Sequence, residues 1–247
     1  MKVKNMLLLG LIIGICTNTS AQNDTTINSV PFYWTFELGS SYLTTTNTIK
    51  NQKAPFLPTA SGSFSFNWNF PLGNKRTIPM SGFFLSPGIG LGVSTYSINK
   101  NISETNGVIT IEDIDSPYDY YYLQGIYLDL PFDIRYLTAP DSKMQNYSFD
   151  LGGKLGYLIY TEKEMQVKEG NNTDTYNSKH VGILNKYKYG ITAKASYRKM
   201  RINKRNDLMG LSLSIIGNYI LSDTFIDQEI INSKSFFIGV GMGFNFK

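Results

Sequence analysis

The sequence predicts an all-β fold, an eight-stranded antiparallel transmembrane β-barrel, from three observations. Apolar residues alternate with small or polar ones at period two along eight segments, and no segment shows a 3.6-residue period. No apolar run beyond residue 16 approaches the roughly 18 residues that a spanning helix needs. The connections between the eight segments alternate long and short without exception. Composition agrees: the 247 residues are 42% apolar and 14% aromatic but only 17% charged, with 17 Tyr, 15 Phe and 22 Gly. Soluble domains carry roughly 25% charge, so there is too little here for a fully water-exposed surface. The formal charge of +4 is too small to suggest a nucleic-acid partner.

The first element is a targeting segment. Lys2 and Lys4 precede the apolar run Met6 to Cys16, and the small residues Thr19 and Ala21 end it, which predicts a secretory signal peptide over 1–21 cut after Ala21. Ile15 stands where a lipoprotein signal would need a small residue before Cys16, so lipidation is not expected. Without residues 1–21 the chain has 21 basic and 19 acidic groups and no Cys. That excludes disulfides and thiol chemistry and fits a Gram-negative envelope. Residues 22–31 lack periodicity and read as a flexible periplasmic lead-in, leaving 32–247 for the barrel.

The strands are expected at 32–43, 59–70, 82–96, 119–137, 147–160, 187–198, 208–221 and 235–246. In the first, Phe32, Trp34, Phe36, Leu38 and Tyr42 share one face, against Thr35, Glu37, Gly39 and Ser41 on the other. The second sets Phe64, Phe66, Trp68 and Phe70 against Ser63, Ser65, Asn67 and Asn69, and the last sets Phe236, Ile238, Val240, Met242 and Phe244 against Gly239, Gly241, Gly243 and Asn245. A face of Gly, Ser and Asn makes a poor water-exposed surface but suits a crowded lumen, where glycine leaves room for long side chains from other strands. The apolar face is therefore expected to meet lipid. Trp34, Tyr42, Trp68, Tyr120, Tyr122, Tyr136, Tyr147, Tyr189 and Tyr197 lie near strand ends, as an interfacial belt requires.

The connections run 15, 11, 22, 9, 26, 9 and 13 residues. Short periplasmic turns and longer outer loops would give this order if both termini are periplasmic. The short turns carry net +5 (Lys75, Arg76, Lys143, Lys199, Arg201, Lys204 and Arg205 against Asp141 and Asp207), and the long loops carry net −3.

Three segments carry a resemblance. YLDLPFDIRY (Tyr127 to Tyr136), FDLGGKLGYLIY (Phe149 to Tyr160) and the ending FFIGVGMGFNFK resemble the small outer-membrane β-barrel domain family, porin-like or PorT-like, of Gram-negative bacteria. The final Lys247 departs from the aromatic ending usual in such barrels. The resemblance implies an outer-membrane location, with membrane lipid and the outer-membrane insertion machinery as partners. It brings no catalytic residue and no cofactor, and links some relatives to secretion assemblies. Pro131 in its motif removes a ladder donor, and with Pro87 on the preceding strand predicts a loosened seam between the third and fourth strands.

Four constellations could carry function. By parity Glu37, Asp129, Asp133, Arg135, Asp150, Lys154, Lys188, Lys194 and Arg198 point into the lumen, where unpaired charge is costly, so an ion-paired plug is expected rather than a conduit. A symmetric turn after the fourth strand would set Asp129 opposite Lys154 and Asp150 opposite Asp133, with Arg135 diagonal. Glu112, Asp113, Asp115 and Asp119 cluster without the Gly and terminal Glu of a calcium loop, so no metal site is expected; the preceding GVITIEDI could instead form a raised hairpin. His180, near Ser178 and Asp174, is the one histidine on which an outer-membrane lipid hydrolase or acyltransferase could rest, but no strand holds it, and no enzyme is expected. The long polar loops suit a surface ligand or a secretion-system protein. The expected role is non-enzymatic, envelope structure or surface interaction through the outer loops, with a small-solute porin as a further alternative.

Overall fold

The computed structural model describes residues 32–44, 60–72, 81–105, 108–113, 118–169, 172–179, 182–202, 208–226 and 234–245. Residues 1–31, and with them the expected signal peptide and lead-in, lie outside the described residues.

Twelve strands follow in chain order: β1 (Phe32–Thr44), β2 (Ser61–Trp68), β3 (Phe70–Leu72), β4 (Gly82–Ser97), β5 (Lys100–Thr105), β6 (Val108–Asp113), β7 (Tyr118–Leu137), β8 (Gln145–Glu169), β9 (Asn172–Lys179), β10 (Tyr187–Ile202), β11 (Leu208–Ile220) and β12 (Lys234–Asn245). Eight of them close a ring. Each of β1, β2, β4, β7, β8, β10, β11 and β12 pairs antiparallel with its neighbour, β8 pairs with β10, and β12 pairs back to β1, with Trp34 opposite Phe244 and Leu38 opposite Val240. Closure satisfies every edge, which is the condition for strands to cross hydrocarbon.

The ring is inside-out relative to a soluble protein. Thr35, Glu37, Ser63, Asn67, Asp129, Arg135, Asp150, Lys194 and Asn218 are buried, whereas Phe36, Phe64, Leu91, Phe132, Leu151, Ile215 and Val240 are exposed. Tyr42, Tyr136, Tyr147, Tyr189 and Tyr197 are exposed on the outside at the strand ends, as a belt requires. Tyr122 is not a belt residue: it is buried and donates its hydroxyl to Glu164 at 2.9 Å.

The segments expected as loops contain further strands. β8 runs through Glu169 and pairs with β9 from Glu162↔Lys179 to Glu169↔Asn172, so most of the expected 26-residue loop is a hairpin raised above the ring. A register shift between Ile126 and Tyr127 on β7, against Tyr160 and Leu158 on β8, marks where the raised part begins. GVITIEDI contributes to a second hairpin, β5–β6, which pairs with itself as a separate two-stranded sheet and does not extend the ring.

The Pro87 and Pro131 seam is visible in the ladder. Between β4 and β7 the register runs to Pro87↔Phe132 and resumes at Gly90↔Asp129, skipping Gly88 and Ile89. On its other side β7 pairs through Pro131, opposite Lys154. Ser86 donates to Asn69 Oδ1 at 2.8 Å beside the gap, so a side-chain bond stands next to the missing ladder bonds. Amide exchange on the folded barrel is expected to be faster at Ile89 and Leu130 than at Leu91 and Leu128; equal protection at all four would remove the seam.

Candidate functional site: the lumen and its cap

The lumen is built by inward positions of facing strands, and all nine charged residues expected there lie in it. Eight are buried, and the side chain of Lys154 is 10% accessible. At the turn end, Arg135 on β7 faces Asp150 on β8 in register and binds it bidentately, Nε to Oδ1 at 2.8 Å and Nη2 to Oδ2 at 2.6 Å. Its guanidinium also stands 3.7 Å over the Tyr33 ring. Farther along, Lys194 donates to Glu37 Oε1 at 2.8 Å while Ser63 donates to Oε2 at 2.7 Å. Lys154 lies between Glu37 at 3.8 Å and Asp129 at 3.5 Å. Lys188 completes the row, 3.5 Å from Asp129 and 3.8 Å over the Tyr127 ring. Asp133 and Arg198 stand outside this chain: among the described residues neither forms an ion pair, and Asp133 Oδ1 and Arg198 Nη1 are buried without a hydrogen-bond partner.

The pairing differs from the symmetric-turn expectation by two residues. Asp129 faces Gly156, Asp133 faces Gly152, and Arg135 rather than Asp133 faces Asp150, which leaves Lys154 diagonal to Asp129. The β7–β8 ladder ends at Leu137↔Ser148, which leaves a longer connection than a symmetric turn would. Within it Asp141 Oδ1 accepts the amides of Lys143 and Gln145 at 2.9 and 2.8 Å, and the Met144 amide donates to the Asp141 carbonyl at 3.0 Å. Met144 takes φ 60° to close it.

Glycine makes the space that the charges need. A Cβ on Gly92 would sit 2.1 Å from Asp129 Oδ2, and one on Gly152 would sit 2.3 Å from Asp133 Oδ1. What remains empty beside Glu37, Asp129, Lys154 and Lys188 is a cavity of about 30 Å³. That holds one or two water molecules.

Toward the loop end the lumen ends in an apolar core. Leu43, Tyr96, Ile98, Ile102, Tyr121, Leu123, Ile183, Leu184 and Phe225 are buried together, with Ile111, Leu158 and Met165 packed against them. Tyr121 accepts the Ile102 amide at 3.2 Å, and burial pushes its hydroxyl pKa up to about 12, so it stays neutral. Lys163 reaches Asn101 Oδ1 and the Ile102 carbonyl at 3.3 and 3.4 Å, tying the β8–β9 hairpin to the base of β5–β6. Partial burial lowers its pKa, against an upward pull from Glu112. The sequence expectations did not include this cap; its signal was the isolated apolar residues of YSINKNIS, GILN and TFID, which polar loops have no reason to hold.

The other candidates lie partly outside the described residues. Asp113 pairs with Lys100 and Glu112 is exposed, Asp115 lies outside the described residues, and among those residues no group of three or more metal-ligating side chains comes together. His180 lies outside the described residues, and Ser178 is exposed on β9.

A hydrogen-bonded ring with an apolar exterior and a charged interior defines the class of transmembrane β-barrels. The chain belongs to the outer membrane protein beta-barrel domain family, whose model matches residues 20–247. It is thus an outer-membrane protein, and the match does not single out the PorT-like members. No curated protein matches it. A solved structure with some likeness is that of Ail, the attachment invasion locus protein of Yersinia pestis, at 9% identity, covering 88% of this chain and 99% of that one with a TM-score of 0.32.

Two outcomes are expected from lumen variants. Arg135→Met leaves Asp150 buried without its bidentate partner and should destabilise the barrel by about 3–5 kcal/mol, whereas Arg135→Met with Asp150→Leu should recover much of that loss. Gly92→Val should cost about 1–3 kcal/mol by displacing Asp129. Urea unfolding in detergent micelles, read by the heat-dependent gel shift of folded barrels, measures all three.

Proposed function

We propose that this protein is a sealed, non-catalytic barrel that carries a folded platform on the outer surface for contact with a macromolecule, its turns and both termini lying in the periplasm after removal of residues 1–21. One observation carries the reading: three of the long connections share a buried apolar core with the strand ends, so they form a fixed surface above a filled lumen. The ion-pair row and the 30 Å³ cavity weigh against a small-solute porin. The alternation of short basic turns and long loops supports the orientation. The surface on offer is the raised β7–β8–β9 sheet, in which β9 is the terminal strand and bears the exposed Tyr176. Attachment to a surface ligand and membership of a secretion assembly are both forms of this role.

Two measurements test it. Purified protein in planar bilayers should give no stable conductance, and a large steady current would overturn the sealed lumen. A chain in which Gln166 to Thr175 are replaced by Asn-Gly shortens the hairpin between the paired Met165 and Tyr176. In cells it should fold yet reproduce the gene-deletion phenotype in secretion or surface binding; wild-type behaviour would take the platform role away from this hairpin.

A further inference from the structure

The lipid-facing side of the ring is not uniformly bulky. The outward column of β10 reads Ile191, Ala193, Ala195, Tyr197, Lys199, Arg201 from the loop end to the turn end. Across from Ala193 lies Gly217 on β11, which has open space where a side chain would be, and across from Ala195 lie Phe149 and Ile215. Ala195 lies in the floor of a trough between Phe149 and Ile215, the latter 70% exposed. The concavity measures about 690 Å³ and reaches from Tyr147 and Tyr197 past Ile215 to Val240 and Met242, with an almost wholly apolar lining.

The turn end of this trough changes chemistry abruptly. Tyr197 packs beside Tyr147 with ring centroids 5.8 Å apart, so two hydroxyl-bearing rings close it at belt level. Lys199 and Arg201 follow on the same outward column, both exposed. The turn that carries Lys143 is fastened alongside, since the Met200 amide donates to the Met144 carbonyl at 2.9 Å. Asp141, the acidic residue of that turn, has its Oδ1 engaged by the Lys143 and Gln145 amides. An apolar trough, then a pair of amphipathic rings, then three cations: this is the order of groups along an anionic lipid read from acyl chain to headgroup.

We propose that this trough is a binding site for one anionic glycerophospholipid, its acyl chain lying over Ala195 between Phe149 and Ile215 and its phosphate held by Lys199 and Arg201 with Lys143 beside them. The chain's place in the outer membrane supplies the lipid, and charge complementarity selects an anionic headgroup over a zwitterionic one. The assignment to the periplasmic leaflet rests on the orientation proposed above, whereas the binding chemistry does not. Failure of the orientation would show separately, as protease access to the turns from outside the cell.

The full-length mature barrel, incubated with mixed micelles of equal phosphatidylglycerol and phosphatidylethanolamine, should retain one phosphatidylglycerol in native mass spectrometry, preferred on the order of tenfold. Lys199→Gln with Arg201→Gln should abolish the headgroup preference, and Ala195→Phe, which fills the trough on a face where no protein packs, should abolish retention of either lipid. Each variant must show the gel shift of the folded barrel. Equal retention of both lipids by the wild type, unchanged retention by Ala195→Phe, or a dimer that buries this face would each overturn the proposal.

Discussion

Closure of the ring in hydrocarbon is the constraint on which the rest of the structure depends. Once β12 bonds to β1 the ring has no open edge, and each strand must send one face to lipid and the other to an enclosed space. A charged residue on an inward position can then find its counter-charge only inside, and seven of the nine do. The Glu37, Asp129, Lys154, Lys188 and Lys194 row is the outcome: each carboxylate meets two ammonium groups, and the glycines opposite exist to let them meet. The lumen is filled because an eight-stranded ring is too narrow to leave these side chains solvated.

Much of this was legible because membrane strands obey a period that sequence displays directly. Alternation placed Glu37 and Lys194 inward and Phe36 and Val240 outward, and the family match agrees with the architecture. What alternation could not supply was the pairing. Moving one strand by two residues preserves every inward and outward assignment, so the two-residue offset that puts Arg135 against Asp150 is invisible to parity. It goes with a connection longer than a symmetric turn, folded around Asp141.

The cap was hidden for a different reason. Its members come one or two at a time from separate connections, Ile98 and Ile102 from one, Ile183 and Leu184 from another, Phe225 from a third. No window along the chain shows a period, because the periodicity belongs to none of the segments. Likewise the 26-residue connection read as a loop by its polarity, whereas β8 and β9 are held by main-chain bonds and need no apolar face to pair.

The molecule therefore has two cores of opposite character, charged where it is surrounded by hydrocarbon and apolar where it emerges into water. They cannot be built in either order. The cap gathers Leu43, Tyr96, Tyr121, Ile183 and Phe225, residues spread over most of the chain, and it can close only after every connection between them has reached the same side of the membrane. Withdrawing a strand would expose part of that core, so its burial opposes the loss of any one strand from the ring.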